Sequence, residues 1–398
     1  MGSCAAAVIA TAVAGTVAAA VAMALAASPA HGAPAERPKV DPETHPLTQV
    51  PKGRSTGEQV LRFPAWVAER PFWLLGRGLE GTLTWVEQKE IIQKIGNLPG
   101  WLRRNHLVLG PSQQGTGTGT GLVVGTFAGV GHGMVMATTD WTAREYQRHE
   151  LLIRTPLSRS VGITAFGRFD RRARDNFYGF GQSTKEEDRT QYSQDAVSAG
   201  LALGWRMEEW TFRVEGGWAD SDPLEDPFDD EHPSTLDEFP GLPGADGAKL
   251  VSVGGRMGRG ALNHHVEAAA NVYYDADDDV YGFNRYELTI YHAVPVFRGD
   301  RMLAFRLHGV TTEPRDDRSV PFWMLPEISA RNGLRAYDAW RFRDLDAVVM
   351  NVEYRFPIWD IGLPSGAGVD AVLFFDAGRV SPALEDDLIW REFKSDAG

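Results

Sequence analysis

Glu209-Trp210-Thr211-Phe212-Arg213-Val214-Glu215-Gly216-Gly217-Trp218 is the stretch on which the reading of the fold turns. Its odd positions Glu209, Thr211, Arg213 and Glu215 are polar, while Trp210, Phe212, Val214 and Trp218 are apolar. Side chains alternate across a β-strand, so one face of this segment avoids water and the other can meet it. Trp218 lies eight positions after Trp210, roughly 26 Å along the strand at about 3.3 Å per residue. Tilted by about 40°, that becomes roughly 20 Å along a membrane normal, close to the apolar band between the aromatic girdles of a transmembrane barrel.

The same alternation recurs on both sides of that stretch. Leu303, Phe305 and Leu307 oppose Ala304, Arg306 and His308; Tyr286, Leu288 and Ile290 oppose Arg285, Glu287 and Thr289. Val348, Met350, Val352, Tyr354 and Phe356 oppose Asn351, Glu353 and Arg355, and Val369, Ala371, Leu373 and Phe375 form a further apolar set. Strands are also expected near 106–110, 119–130, 133–140, 148–154, 160–169, 192–207, 247–257 and 263–274, thirteen segments in all. They are separated by Gly-rich or acidic breaks. The fold class is therefore all-β, an antiparallel transmembrane β-barrel. Closed bacterial barrels carry an even number of strands, so the thirteen visible strands are expected to belong to a barrel of sixteen, with the last ones lying beyond Gly398. A soluble sandwich alternates too, and period alone does not separate inside from outside.

The N-terminal part reads differently. Residues 1–33 carry an Ala/Val/Leu-rich run followed by Ser28-Pro29-Ala30-His31-Gly32-Ala33, small residues suited to signal-peptidase cleavage. Met1-Gly2-Ser3-Cys4 lacks the usual basic residue, and an N-terminal anchor helix is the alternative to an export signal. Residues 34–58 are rich in Pro, Thr, Lys and Glu and read as a flexible linker. Residues 59–104 space Trp66, Phe72, Trp73, Leu79, Trp85, Ile91 and Ile95 among charges, the pattern of a short helical periplasmic segment. The barrel occupies 105–398, and no later stretch approaches the roughly 20 apolar residues of a spanning helix.

Composition narrows the function classes. The only cysteine, Cys4, lies inside the export signal, so the mature chain holds no disulfide and no Cys-ligated metal. A formal charge of −13, without clustered Lys and Arg, disfavours nucleic acid. The glycine run 115–121 lacks the Lys-Ser/Thr of a phosphate loop, and no Gly-x-Ser-x-Gly elbow is present. Asp275-Ala276-Asp277-Asp278-Asp279 lacks the glycine and glutamate of a calcium loop and reads as a solvated hairpin; His264 and His265 fall on opposite strand faces. No cofactor, metal, catalytic residue or small-molecule substrate is evident.

Alternation places Glu353 and Asp376 on the polar side of strands expected to be neighbours, and an arginine between them could bind either carboxylate through charge-assisted hydrogen bonds. Arg335 is the candidate; independently solvated charges are the alternative. Three stretches around these residues carry a family resemblance. Asn332-Gly333-Leu334-Arg335-Ala336-Tyr337 looks like the Val-Arg-Gly-Phe/Tyr loop motif of the Omp85 superfamily (bacterial surface antigen D15, BamA/TamA-like), with Ala336 where the family has glycine, a change expected to strain or reshape the loop tip. Val352-Glu353-Tyr354-Arg355-Phe356-Pro357 looks like the strand after that loop. Phe374-Phe375-Asp376-Ala377-Gly378 looks like the Phe-x-Asp-x-Gly signature, with Phe374, Asp376 and Gly378 at the matching positions. The resemblance implies a lumenal loop locked by Arg335 against Asp376 and Glu353. It also implies an outer-membrane location and work on outer-membrane protein insertion, translocation or assembly. Its expected partners are outer-membrane lipids and unfolded outer-membrane or secreted client proteins. A structural or pore-forming barrel without insertase activity is the alternative, and a secreted soluble β-hydrolase, which would bury the Trp210/Phe212/Val214/Trp218 face, is a third class.

Overall fold

The computed structural model describes residues 102, 104–113, 120–143, 145–224, 232–261, 263–296, 301–330, 332–360, 368–383 and 393–398. The expected signal (1–33), linker (34–58) and nearly all of the helical segment (59–104) lie outside these residues.

Each of the thirteen expected segments is a strand: β1 (Leu107–Gln113), β2 (Thr120–Val130), β3 (Gly133–Thr142), β4 (Gln147–Pro156), β5 (Val161–Phe177), β6 (Thr190–Met207), β7 (Trp210–Leu224), β8 (Ala248–Ala261), β9 (His264–Asp275), β10 (Gly282–Pro295), β11 (Met302–Pro314), β14 (Asp346–Asp360) and β15 (Gly368–Ser381). Three short strands join them: β12 (Glu327–Ile328) and β13 (Phe342–Arg343), which pair within the β11–β14 connection, and β16 (Lys394–Ala397). β16 has no apolar alternation to reveal it; backbone pairing to Phe375–Gly378 of β15 holds it. The main sheet has fourteen strands, each antiparallel to its sequence neighbour except that β11 pairs directly with β14.

The sheet curls back on itself. Gln182, in the β5–β6 connection, donates its side-chain amide to the Gly378 carbonyl at 3.2 Å and accepts the Val380 N–H at 2.8 Å, both on β15. Seven strand-to-strand steps separate β6 from β15, roughly 34 Å in a flat sheet at about 4.8 Å per step, so only a strongly curved sheet permits that contact.

Register separates the two faces. The row Ile290–Leu307–Met350–Ala377 crosses β10, β11, β14 and β15 on one face, and the row Ile163–Leu203–Val214 crosses β5, β6 and β7 on the same face. Val214, Trp218, Leu288, Ile290, Phe305, Leu307 and Phe375 are all well exposed there. A soluble sandwich would bury this face; here Val214 and Trp218 are exposed and Trp210 and Phe212 half-buried, forming an outward apolar surface. Polar residues bound the apolar band at both ends: Glu209 pairs with Arg259 at 3.1 Å below Trp210, and Lys249 pairs with Asp277 at 2.7 Å beyond Trp218. The opposite face carries Arg306, Asn351 and Asp376 in one cross-strand row. Among the described residues no helix is long and apolar enough to cross a membrane.

The three longest connections (178–189, 225–247 and 315–345) all lie at one end of the strands, and the shortest turns (131–132, 208–209) at the other. That asymmetry matches the short periplasmic turns and longer outer loops of outer-membrane barrels. The long β7–β8 connection contains one helical turn, α1 (Thr235–Glu238). The acidic tip between β9 and β10 caps itself, the Asp275 carboxylate accepting the N–H groups of Asp277, Asp278, Val280 and Tyr281.

Candidate functional site

The β11–β14 connection folds onto the inner face of the sheet rather than into solvent. Its apolar stretch Phe322-Trp323-Met324 forms a 3-10 turn. Phe322 is fully buried and packs edge-on against Phe177 (5.3 Å), Tyr192 (4.9 Å) and Trp323 (5.2 Å). Removing such rings from water supplies a few kcal/mol each, which offsets the cost of ordering so long a connection. A second cluster, Ile328, Leu334, Phe342, Ala347, Val349 and Val380, fastens the end of the connection to β14 and β15.

Arg335, Glu353 and Asp376 come together in the space this packing creates. The Arg335 guanidinium pairs with the Glu353 carboxylate and reaches Asp376 Oδ2 with Nε at 3.4 Å. Asn351 stands directly opposite Asp376 across the β14–β15 ladder, and Glu353 opposite Phe374. The two carboxylates are thus diagonal neighbours on one face, and a cation between them removes their mutual repulsion. Phe374 lies beneath the guanidinium, 4.3 Å from its carbon to the ring centroid. The three side chains grade inward: Arg335 is a third exposed, Glu353 14% and Asp376 fully buried.

The sequence did not single out the residues that complete this site. Asn351 donates to Asp376 Oδ1 at 2.7 Å and to the Gly333 carbonyl at 2.6 Å. Arg306 donates to the Asn332 carbonyl at 3.0 Å and to Asn351 Oδ1 at 3.2 Å. Arg355 adds a second cation to Glu353 at 2.7 Å. Their inward parity was the available signal, since Arg306, Asn351, Glu353 and Arg355 all sit on the polar side of β11 and β14.

Each remaining motif residue has a physical task here. Gly333 adopts φ +132°, and a Cβ there would lie 2.5 Å from Val349, so both conformation and space require glycine. Leu334 is fully buried in the apolar cluster, and Tyr337 packs edge-on to Phe342 at 5.2 Å. A Cβ on Gly378 would press on Ile328 at 3.1 Å and on the Val348 carbonyl at 3.2 Å. The expected strain at Ala336 does not occur. Ala336 is absent from the positive-φ positions, so alanine fits, and its N–H donates to the Asp396 carboxylate on β16. The left-handed non-glycine position of the connection's inward turn is instead Trp340, at φ +66°.

Trp340 marks a second anchor with no sequence signature. Its ring is approached by two guanidiniums, Arg172 at 4.5 Å and Arg343 at 5.0 Å from the ring centroid. Arg343 is 1% exposed and donates to the Tyr192 hydroxyl and the Phe322 carbonyl, both at 3.3 Å. Arg172 pairs with the buried Asp175, which also accepts the Tyr146 hydroxyl at 3.1 Å. Nearby, Arg341 donates to the Thr184 hydroxyl at 2.7 Å and stacks over Tyr178 at 4.6 Å. Burial, reinforced by the Asp338 carboxylate, pushes the Tyr178 hydroxyl up, so it remains a donor to Asp338 at 3.3 Å. Among the described residues no group of side chains has the arrangement of a metal site.

No protein-family model matches the chain, and no curated protein sequence matches it. Among solved structures it is similar to BamA from Haemophilus ducreyi lacking POTRA domains 1–3, with a TM-score of 0.53 and 14% identity, over 73% of this chain and 62% of that one. A structure of CdiB from Acinetobacter baumannii is matched at a TM-score of 0.42 and 12% identity, over 73% of this chain and 51% of that one. The chain thus spans less than two thirds of the length of either protein. Its fold is that of the BamA barrel.

Proposed function

We propose that this chain is an exported outer-membrane barrel of the Omp85 superfamily that works in the insertion, translocation or assembly of outer-membrane or secreted proteins. The observation that carries the reading is the clamp of Arg335 on Glu353 and Asp376 inside a sheet with the BamA fold. Such work needs no covalent chemistry. It needs a wall that can deform and an internal element that resets it. The β11–β14 connection fits the second part, because it grips β14 and β15 from within.

The test is reconstitution of the full chain into lipid vesicles with an unfolded barrel protein as client, following the client's conversion to its heat-modifiable folded form. An insertase raises that rate several-fold over empty vesicles, and Arg335→Ala removes most of the gain. A wild-type chain that conducts ions through the bilayer yet leaves the client's rate unchanged would establish the passive pore instead.

A further inference from the structure

Arginines without acidic partners among the described residues collect on the inner face of the sheet at its short-turn end. A groove of about 690 Å³ there is lined by Arg154 on β4, Arg159 in the β4–β5 turn, and Arg206 and Arg213 on β6 and β7. Arg213 is engaged by Glu215 at 2.6 Å. Arg154, Arg159 and Arg206 are exposed, and among the described residues their guanidiniums make no ion pair or hydrogen bond. Glu208, at the β6–β7 turn, is the one carboxylate among the lining residues. In a chain of net charge −13 this is a locally positive surface.

Register fixes how these charges are spread. Arg154 is level with Thr164 and, through it, with Ala202 on β6. Arg206 lies four residues further along β6, while Arg213 stands opposite Gly204, midway between the two levels. Arg159 joins the Arg206 end, because the Arg206 N–H donates to the Ser160 carbonyl at 2.8 Å. Four residues along a strand and two strands across give a separation on the order of 16 Å between the Arg154 and Arg206 backbones. No single phosphate or carboxylate bridges that distance. An extended peptide repeats its side chains on one face about every 6.6–7 Å, so acidic residues at alternate positions, laid along the strands, reach the levels of Arg154 and Arg206 two repeats apart, with Arg213, already paired with Glu215, at the level between them. The hydroxyls of Thr164 and Thr211 line the same groove and suit a peptide backbone. Membrane lipid contacts the apolar outer face, whereas this groove opens on the inner one.

We propose that the groove binds an extended acidic peptide segment carrying carboxylates at alternate positions. This site is separate from the Arg335 clamp and stands whether or not the chain inserts proteins.

The experiment measures binding of a fluorescent hexapeptide with glutamate at alternate positions to the detergent-solubilised full chain, by anisotropy. The wild type is expected to bind with an affinity that falls as salt rises, since exposed charges are screened within about 8 Å at 0.15 M. Replacing the glutamates by glutamine, or Arg154, Arg159 and Arg206 together by glutamine, should weaken binding at least about tenfold. Removing three cations elsewhere, by Arg171→Gln, Lys249→Gln and Arg259→Gln, should leave it unchanged. Heat-modifiability establishes that each variant is folded. The proposal is overturned if the wild type does not bind at low salt, if the control variant weakens as much as the groove variant, or if inorganic phosphate at its own millimolar affinity displaces the peptide completely, which would mean a single-anion site.

Discussion

The β11–β14 connection is held to the barrel wall at two places, and they are built from different chemistry. At the Arg335 end the hold is ionic: one guanidinium a third exposed, two carboxylates, and an asparagine that ties the buried acid to the loop backbone. At the Trp340 end it is aromatic and cationic: a ring in contact with Arg172 and Arg343, and, joined to it through Arg343, the packed rings of Phe322, Phe177 and Tyr192. The ionic anchor faces the watery side of the sheet and is open to screening. The aromatic anchor excludes water and gains from burial and from cation–π attraction, which strengthens on desolvation. One anchor thus yields to salt while the other holds its position against it.

The sharpest way to break the comparison is to remove the aromatic anchor's centre. Phe322→Ala should cost about 3–5 kcal/mol in equilibrium denaturation in lipid vesicles, the usual range for deleting a fully buried ring. Loss of less than about 1 kcal/mol would show that the connection is not packed against Phe177 and Tyr192. Arg343→Met should follow at about 1–3 kcal/mol, because it keeps the stem while losing the stacking on Trp340 and the hydrogen bonds to Tyr192 and Phe322. Raising salt from 0.1 to 1 M should leave that loss nearly unchanged.

The ionic anchor should respond more weakly to substitution and, unlike the aromatic one, should lose strength as salt rises. Arg335→Ala leaves Asp376 with the Asn351 side chain and the backbone N–H of residue 335, without its cation. Breaking a buried pair costs roughly 3–5 kcal/mol, and the exposure of Arg335 reduces this to about 1–2 kcal/mol. Asp376→Ala should fall in the same range. The double variant should cost less than the sum by about 0.5 kcal/mol or more, the coupling expected of neighbours. Strict additivity would separate the two residues, and a coupling that survives 1 M salt would make this anchor as dry as the other.

How far the two anchors could be read from the sequence follows from the same contrast. Strand positions were legible because period-two alternation is imposed wherever one face meets lipid. Their ends were not: β5 runs to Phe177 and β7 to Leu224, well past the apolar band, since polar residues above the membrane pair just as well. The ionic anchor lies on strands whose parity assigns Glu353 and Asp376 to one side, while Arg335, on a connection that alternation does not reach, is singled out by the resemblance of its loop motif. Nothing comparable announces Trp340. Its partner Arg172 is far away in sequence and lies where β5 and β6 lose register between Arg172 and Asp175, which obscures the parity that would have placed it.

The finest comparison concerns position 336, where the expected strain and the observed backbone disagree. If alanine there were held in a left-handed conformation, glycine would relieve it, and Ala336→Gly would stabilise the chain. The backbone is not left-handed at Ala336, and its N–H is engaged by Asp396 in a way glycine would keep. Glycine then brings only a larger loss of chain entropy on folding, so the substitution should destabilise by about 0.4–1 kcal/mol. Trp340→Gly supplies the opposing case: it frees a position that does have positive φ, worth about 1–3 kcal/mol, while abolishing the ring's contacts with Arg172 and Arg343. Because the lost ring outweighs the relieved backbone, Trp340→Gly should be net destabilising, but less so than Trp340→Ala, which loses the same ring and keeps the strain. A stabilising Ala336→Gly, or a Trp340→Gly no better than Trp340→Ala, would move the strained turn back to the loop tip.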